Sequence, residues 1–397
     1  MSRTDMPQSR GVASSSPSRP LLELAPAGSG LSPKLLAAPG GFLWWYADLV
    51  APNGDGLVVI WSFGLPFLPG YANAVRRGDA QLPSQRPSLN VSTYRRGELD
   101  FYLLQEFDPS RVQWDTDDDG DDWRFGHSRL SSRAVDGQRT LSLDLRLEVP
   151  HLARPARITL SATGPGCRPG DERHRPHWRC ETGLPDHDWA PLLAAQRAWA
   201  DLEIDGQPRR LRGHLYHDRN GGKTPLHELD LKSWSWGRLP RPGGDFIYYV
   251  LDGKDGSTQS LLLTIDHDGR IEPVEDAVFY RGRATKNLGG LTWWPSMTIE
   301  RDGRPWLTIE HQDVVDSGPF YLRTIPHARD RFGQITRGIA EVCEPDRIDM
   351  AHHRPLVRMR VHRTNDLNSM WLPLFTGPKK GRIRRLIRSW TKGTRLS

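Results

Sequence analysis

The residues best equipped for chemistry lie between positions 214 and 252. The run Tyr216-His217-Asp218-Arg219-Asn220 sets a phenol, an imidazole, a carboxyl, a guanidinium and an amide side by side. Trp234 and Trp236 follow, then Tyr248-Tyr249 ahead of Asp252. A carboxylic acid is a useful proton donor when apolar surroundings keep it neutral and so raise its pKa. A cation made by that proton needs electron-rich faces nearby, and indole is the best side chain for this. Water must then reach only the cation, which calls for an otherwise dry pocket. These residue types suit acid-initiated chemistry on an apolar, unsaturated substrate. Asp218 is the first candidate for the acid or its organiser, with His217 and Asp252 next. Trp234, Trp236 and Tyr249 would wall the substrate, and Tyr216 and Asn220 would place the water.

Plainer readings stand beside these. Asp218-x-Asn220-x-Gly222 also suits a tight turn in which the Asp and Asn side chains cap backbone N–H groups. Asp252 precedes Gly253 and could simply start a hairpin turn. Trp44, Trp45, Trp293 and Trp294 read as core. Asp115-Thr116-Asp117-Asp118-Asp119-Gly120 matches half of a calcium loop, but its twelfth position is Gly126, so an acidic hairpin is expected. Cys167, His174, His177 and Cys180 fit no common zinc spacing, and no metal site is expected. Hydrolase elbows, P-loops and dinucleotide fingerprints are missing.

The elements that must position these residues read as strands. The 397 residues include 38 Gly and 32 Pro, which favours short strands and turns over long helices. Leu57–Trp61, Leu99–Phe107, Thr140–Val149, Phe246–Leu251, Ser260–Ile265, Leu307–Glu310 and Leu356–Val361 have strand character. Asn53-Gly54, Asp136-Gly137, Asp205-Gly206, Asp255-Gly256 and Asp302-Gly303 supply turns. Helical periodicity is confined to Ala190–Ala200 and the C-terminal tail. In Gly41–Asp48, Trp44 and Tyr46 fall on one strand face and Trp45 on the other. The expectation is an all-β chain of two β units with a seam near Leu226. The units would be an N-terminal domain over 41–226 and a C-terminal domain over 227–376, flanked by a disordered leader over 1–40 and a basic amphipathic tail over 377–397. The 15 Trp outnumber the 11 Phe and the 9 Tyr, so indoles line either one core or one large apolar ligand.

The formal charge of +6 is uneven, because Lys379–Ser397 carries eight Lys or Arg and no acid. The remainder, at 6 − 8 = −2, is close to neutral, and nucleic-acid binding is not expected. In the tail, Ile383, Leu386, Ile387 and Trp390 make one helical stripe among Arg382, Arg384, Arg385 and Arg388. Such a segment suits a membrane interface, as an alternative to a solvated or docked tail. No signal-peptide h-region, no transmembrane run and three Cys without a CxxC point to a reducing compartment. A cytoplasmic location is expected, with peripheral contact at the inner face of the membrane.

Taken in order, Trp44-Trp45-Tyr46, Tyr216-x-Asp218-x-Asn220-x-Gly222, Trp234-x-Trp236-x-Arg238 and Gly318-Pro319-Phe320-Tyr321 resemble the carotenoid 1,2-hydratase (hydroxyneurosporene synthase) family. That family sits within a wider lipocalin-like, AttH-type group of paired barrels. The resemblance runs from about Gly41 to Arg323 and more weakly to about Phe375. It implies two calycin-type barrels, no cofactor, a hydrophobic polyene or isoprenoid substrate, and addition of water across the terminal double bond of an acyclic carotenoid. A polyene isomerase or cyclase on the same scaffold is the alternative enzyme, and a lipid or polyene carrier the alternative without catalysis. The chain departs from the pattern at Ser235, where relatives usually carry an Asp between the two tryptophans. It departs also at Gly221, where they often carry a His or Trp, and at Pro225-Leu226-His227-Glu228.

Overall fold

The computed structural model describes residues 20–25, 33–64, 67–117, 119–170, 184–364, 366–379 and 383. The expected leader falls largely outside them, as do Arg382, Arg384, Arg385, Arg388 and Trp390 of the tail and His174, His177 and Cys180. Among the described residues the chain is all-β, with two large sheets of 14 and 11 strands.

The first sheet is built from β1 (Phe42–Val50), β2 (Gly56–Phe63), β3 (Pro87–Arg95), β4 (Glu98–Glu106), β5 (Val112–Asp117), β6 (Gly120–Phe125), β7 (Ser128–Val135), β8 (Gln138–Leu147), β9 (Ala156–Pro165), β10 (Asp188–Ile204) and β11 (Gln207–Gly222). Its order is β4-β3-β2-β1-β11-β10-β9-β8-β7-β6-β5, a chain of hairpins joined where β1 meets β11. The second sheet runs through β12 (Leu231–Arg241), β13 (Gly244–Gly253), β14 (Thr258–Asp266), β15 (Arg270–Pro273), β16 (Val278–Arg281), β17 (Ser296–Arg301), β18 (Arg304–Ser317), β19 (Tyr321–Asp330) and β20 (Ile339–Cys343). Its order is β15-β14-β13-β12-β20-β19-β18-β17-β16. A short strand, β21 (Val361–Arg363), returns to the first sheet and pairs in parallel with β4.

Each strand has two faces, and here both are used. Trp45 of β1 points into the curl of the first sheet and meets Trp61 and Trp123 at ring-centroid distances of 6.4 and 4.6 Å. Trp44 and Tyr46 point the opposite way, into a second core shared with Trp234, Trp236 and Tyr249 of the other sheet. The period-two rule on this one segment therefore separates the core of the first sheet from the layer between the sheets. Asp136-Gly137, Asp205-Gly206 and Asp302-Gly303 all have both φ values positive, as two-residue hairpin turns that follow the strand twist require. Asp115–Asp117 likewise pair with Gly120–Asp122 at the end of the β5–β6 hairpin.

Two expectations about elements fail. Ala190–Ala200 is not helical but lies within the long strand β10, paired with β11 along its length and with β9 from Ala200 onward. The ladder to β11 outweighs a local alanine preference for helix. Leu356–Val361 is not a strand: Arg354–Arg358 forms a short helix, and only β21 is extended. The pairing of β10 with β11 is broken by register shifts between Pro191 and Gln196. There Ala195 has φ +58°, and its N–H donates to Asp245 Oδ2 at 2.8 Å, so a side chain of the second sheet holds the irregularity.

Candidate active site

A cavity of about 110 Å³ lies between the sheets. One water requires roughly 10–15 Å³ of such space, so water and the end of an apolar chain fit together. The first sheet contributes Trp44 and Tyr46 from β1 and Asp218 and Asn220 from β11. The second contributes Trp234 and Trp236 from β12, Tyr249 from β13, Tyr321 and Arg323 from β19 and Glu341 from β20. Phe67 and Phe320, stacked at 6.2 Å, and Leu356 complete the apolar wall.

Register explains the convergence. Asp218 pairs with Tyr46 and Asn220 with Trp44 across the β1–β11 ladder, so all four side chains leave the same face. Trp236 pairs with Tyr249 on one side and with Glu341 on the other. Tyr46 then meets Trp236 edge-on at 5.3 Å across the gap between sheets.

Asp218 is buried, and its two oxygens differ. Oδ2 accepts hydrogen bonds from the Trp189 indole N–H at 2.8 Å and the Tyr216 hydroxyl at 2.9 Å. Oδ1 has only the Asn220 amide, at 3.4 Å. Burial pushes the carboxyl up from 3.8 to about 8; the bonds from Trp189 and Tyr216 oppose that shift, and the nearby Glu341 and Asp48 add to it. The group is therefore protonated at neutral pH. An indole N–H can only donate, and the Tyr216 hydroxyl donates to the same oxygen, so Oδ2 is the accepting oxygen. The proton must sit on Oδ1. Tyr46 Oη, Trp236 Nε1 and Asn220 Oδ1 are buried without a hydrogen-bond partner among the described residues. A buried polar atom left in that state costs free energy that a polar ligand recovers.

A buried ion cluster underlies this wall. Arg238, the basic residue of the Trp-x-Trp-x-Arg element, bonds Asp48 of the first sheet and Asp245 of its own sheet, all three side chains inaccessible to solvent. Burial is the main cause holding Asp48 up at about 6, against the pull of Arg238. The guanidinium also lies 5.9 Å from the Tyr216 ring centre, beneath the phenol that holds Asp218.

Not every expected residue arrives. Asp218, Asn220, Trp234, Trp236 and Tyr249 line the cavity, and Tyr216 supports Asp218 from behind. His217 does not line it. As the neighbour of Asp218 on a strand, it points into the first sheet's core and stacks on Trp61 at 5.6 Å. Its Nδ1–H donates to the Tyr46 carbonyl, Nε2 accepts from Ser132, and burial drives its pKa down to about 3. Asp252 is also elsewhere. It lies on the face of β13 opposite Tyr249, gripped by both Nη atoms of Arg281 at 2.7 and 2.9 Å and bonded by Ser233 and Thr258. A side chain so held ties its strand to its neighbours and does not serve the cavity. The turn reading of Asp218-x-Asn220 gives way too, because both residues lie within a paired strand. Ser235 faces away from the cavity, towards Tyr248 and His311, so an acid at that position would not enter the site.

Trp44, which the sequence places in a core, lines the cavity instead, on the face that the alternation of β1 gives it. Trp189 and Glu341 carry no such signal. Trp189 was hidden by the helical reading of its strand, and nothing near Glu341 in the chain distinguishes it.

Residues 181–370 match the model of the family described as carotenoid hydratase CrtC. A hydroxyneurosporene dehydrogenase of Chlorobaculum tepidum is 27% identical over 362 residues, covering 85% of this chain and 91% of that protein. An acyclic carotenoid 1,2-hydratase of Rubrivivax gelatinosus is 28% identical, covering 82% and 74%. That of Cereibacter sphaeroides is 32% identical over 182 residues, 45% of this chain and 59% of the relative. Among solved structures, kievitone hydratase from Nectria haematococca aligns with TM-score 0.41 and 9% identity, over 81% of this chain and 96% of its own.

Proposed function

We propose that this chain, whose residues 181–370 match the carotenoid hydratase family, is a hydro-lyase that adds water to the terminal C1=C2 bond of an acyclic carotenoid. The observation that carries this reading is Asp218, a buried carboxyl that takes only neutral donors and lines an indole-walled cavity. The proton goes to C2, and the π pair becomes the new C–H bond. The tertiary cation at C1 then lies among the faces of Trp44, Trp234, Trp236 and Tyr249, which stabilise positive charge without acting as nucleophiles. Asn220 Oδ1 and Tyr46 Oη, the unpartnered acceptors of the wall, orient the water. As written, the reaction uses substrate, water and a proton and needs no cofactor.

The test is incubation of the purified protein with lycopene or neurosporene in detergent, with product mass as the readout. A gain of one water supports hydration, and Asp218→Asn should abolish it. Unchanged mass with altered retention would instead favour a polyene isomerase or cyclase. Pigment bound without turnover would favour a carrier. Peripheral membrane contact through Arg382, Arg384, Arg385, Arg388 and Trp390 belongs to the same proposal, since a polyene substrate partitions into lipid. No helix among the described residues is long and apolar enough to cross a membrane. A chain ending at Lys379 should lose binding to anionic liposomes if that tail is the anchor.

A further inference from the structure

We propose that Glu341 is the general base that takes the proton from the attacking water. This inference rests on the hydratase reading above. Hydration moves two protons: one to C2, and one away from the water that attacks C1. Asp218 can supply the first, but the second departs from a different atom. Glu341 enters the same cavity from β20, on the opposite sheet from Asp218. Between them lie Trp236, which pairs with Glu341 across the β12–β20 ladder, and Tyr46, which packs edge-on against Trp236.

The two carboxyl groups have different surroundings. Asp218 has neutral donors and no cation bonded to it. Glu341 Oε1 accepts the Arg323 Nε–H at 2.8 Å, and that guanidinium is 1% exposed. Arg323 does not close a two-pronged fork on the carboxylate, because its Nη1 donates to the Tyr94 hydroxyl at 2.8 Å. The ion pair with Arg323 thus runs through one oxygen of Glu341. A carboxyl with only neutral donors facing one paired with a guanidinium is the arrangement that divides acid from base roles. The field of Glu341 is also among the causes that keep the proton on Asp218.

The steps balance. Asp218 O–H protonates C2, the C1 cation forms, a water lone pair closes the C–O bond, and the surplus proton passes to the Glu341 carboxylate. Glu341 then returns it through water to the Asp218 carboxylate, and the sum is alkene plus water giving tertiary alcohol.

Deuterium separates the two roles. In D₂O, reversible protonation by Asp218 labels C2 of recovered substrate whether or not water is captured. Glu341→Gln should lower hydration by on the order of 10²- to 10⁴-fold, the range for loss of a general base, while label still enters recovered substrate. Asp218→Asn should lose both. If Glu341→Gln lost both, or hydrated at the wild-type rate, the base assignment would be overturned. Should Glu341→Gln fail to fold for want of the Arg323 partner, Glu341→Asp keeps the ion pair but withdraws the carboxylate. It should slow hydration and spare labelling, and wild-type hydration in that variant would overturn the proposal. A wild-type protein that neither hydrates nor labels the substrate overturns the hydratase reading itself.

Discussion

Replacing Asp218 with Asn should make the protein more stable as it makes it inactive, and the gain should depend on pH in a defined way. In the unfolded chain this carboxyl titrates at its ordinary 3.8, whereas in the fold it titrates at about 8. Between those values the unfolded state has given up a proton that the folded state keeps, so stability falls as pH rises. At about 1.4 kcal/mol per unit, the deficit is near zero at pH 4, about 4 kcal/mol at pH 7, and constant above pH 8. Asn does not titrate, yet its carbonyl can still accept from Trp189 and Tyr216. The difference in unfolding free energy between variant and wild type should therefore grow with pH at close to that slope. Urea titrations at pH 4.5, 6, 7 and 8.5 measure it directly. A difference that stays flat across that range would refute the reading of Asp218 as a buried neutral acid, and the proton-donor mechanism with it. A cost in stability greater than the gain, at every pH, would show that the amide cannot replace the acid in the bonds to Trp189 and Tyr216.

Wild-type hydration should fall about tenfold per unit above pH 8 as Asp218 ionises, which a rate profile will show or exclude. Asp252→Asn should leave turnover near wild type yet destabilise the fold by about 1–3 kcal/mol through loss of the Arg281 fork, read from denaturation midpoints. Arg238→Met should cost at least about 3–5 kcal/mol, because Asp48 and Asp245 would remain buried without their cation; a variant as stable as wild type would show the cluster to be dispensable. Trp45→Ala should lose about 3–5 kcal/mol of stability, whereas Trp236→Phe should chiefly slow turnover, since the first fills a core and the second faces the cavity.

By itself the sequence determined what depends on neighbours along the chain. Alternation in Thr140–Val149 marked a strand because one face meets core and the other solvent. The Asp-Gly pairs marked hairpins because few residues tolerate two positive φ values in succession. The Trp44-Trp45-Tyr46 run divided its aromatics between two layers for the same local reason. Only the tertiary structure decided which candidates share a site. Asp218 and Asp252 look alike in the chain, but one residue's difference in strand parity puts the first against indoles and the second against Arg281. Glu341 meets Trp236 only because β20 pairs with β12 across more than a hundred residues of chain. Trp189 reaches Asp218 only because the ladder to β11 holds an alanine-rich stretch extended. Protonation state followed the same rule, since a carboxyl keeps or sheds its proton according to the water, cations and dipoles that the whole fold leaves around it.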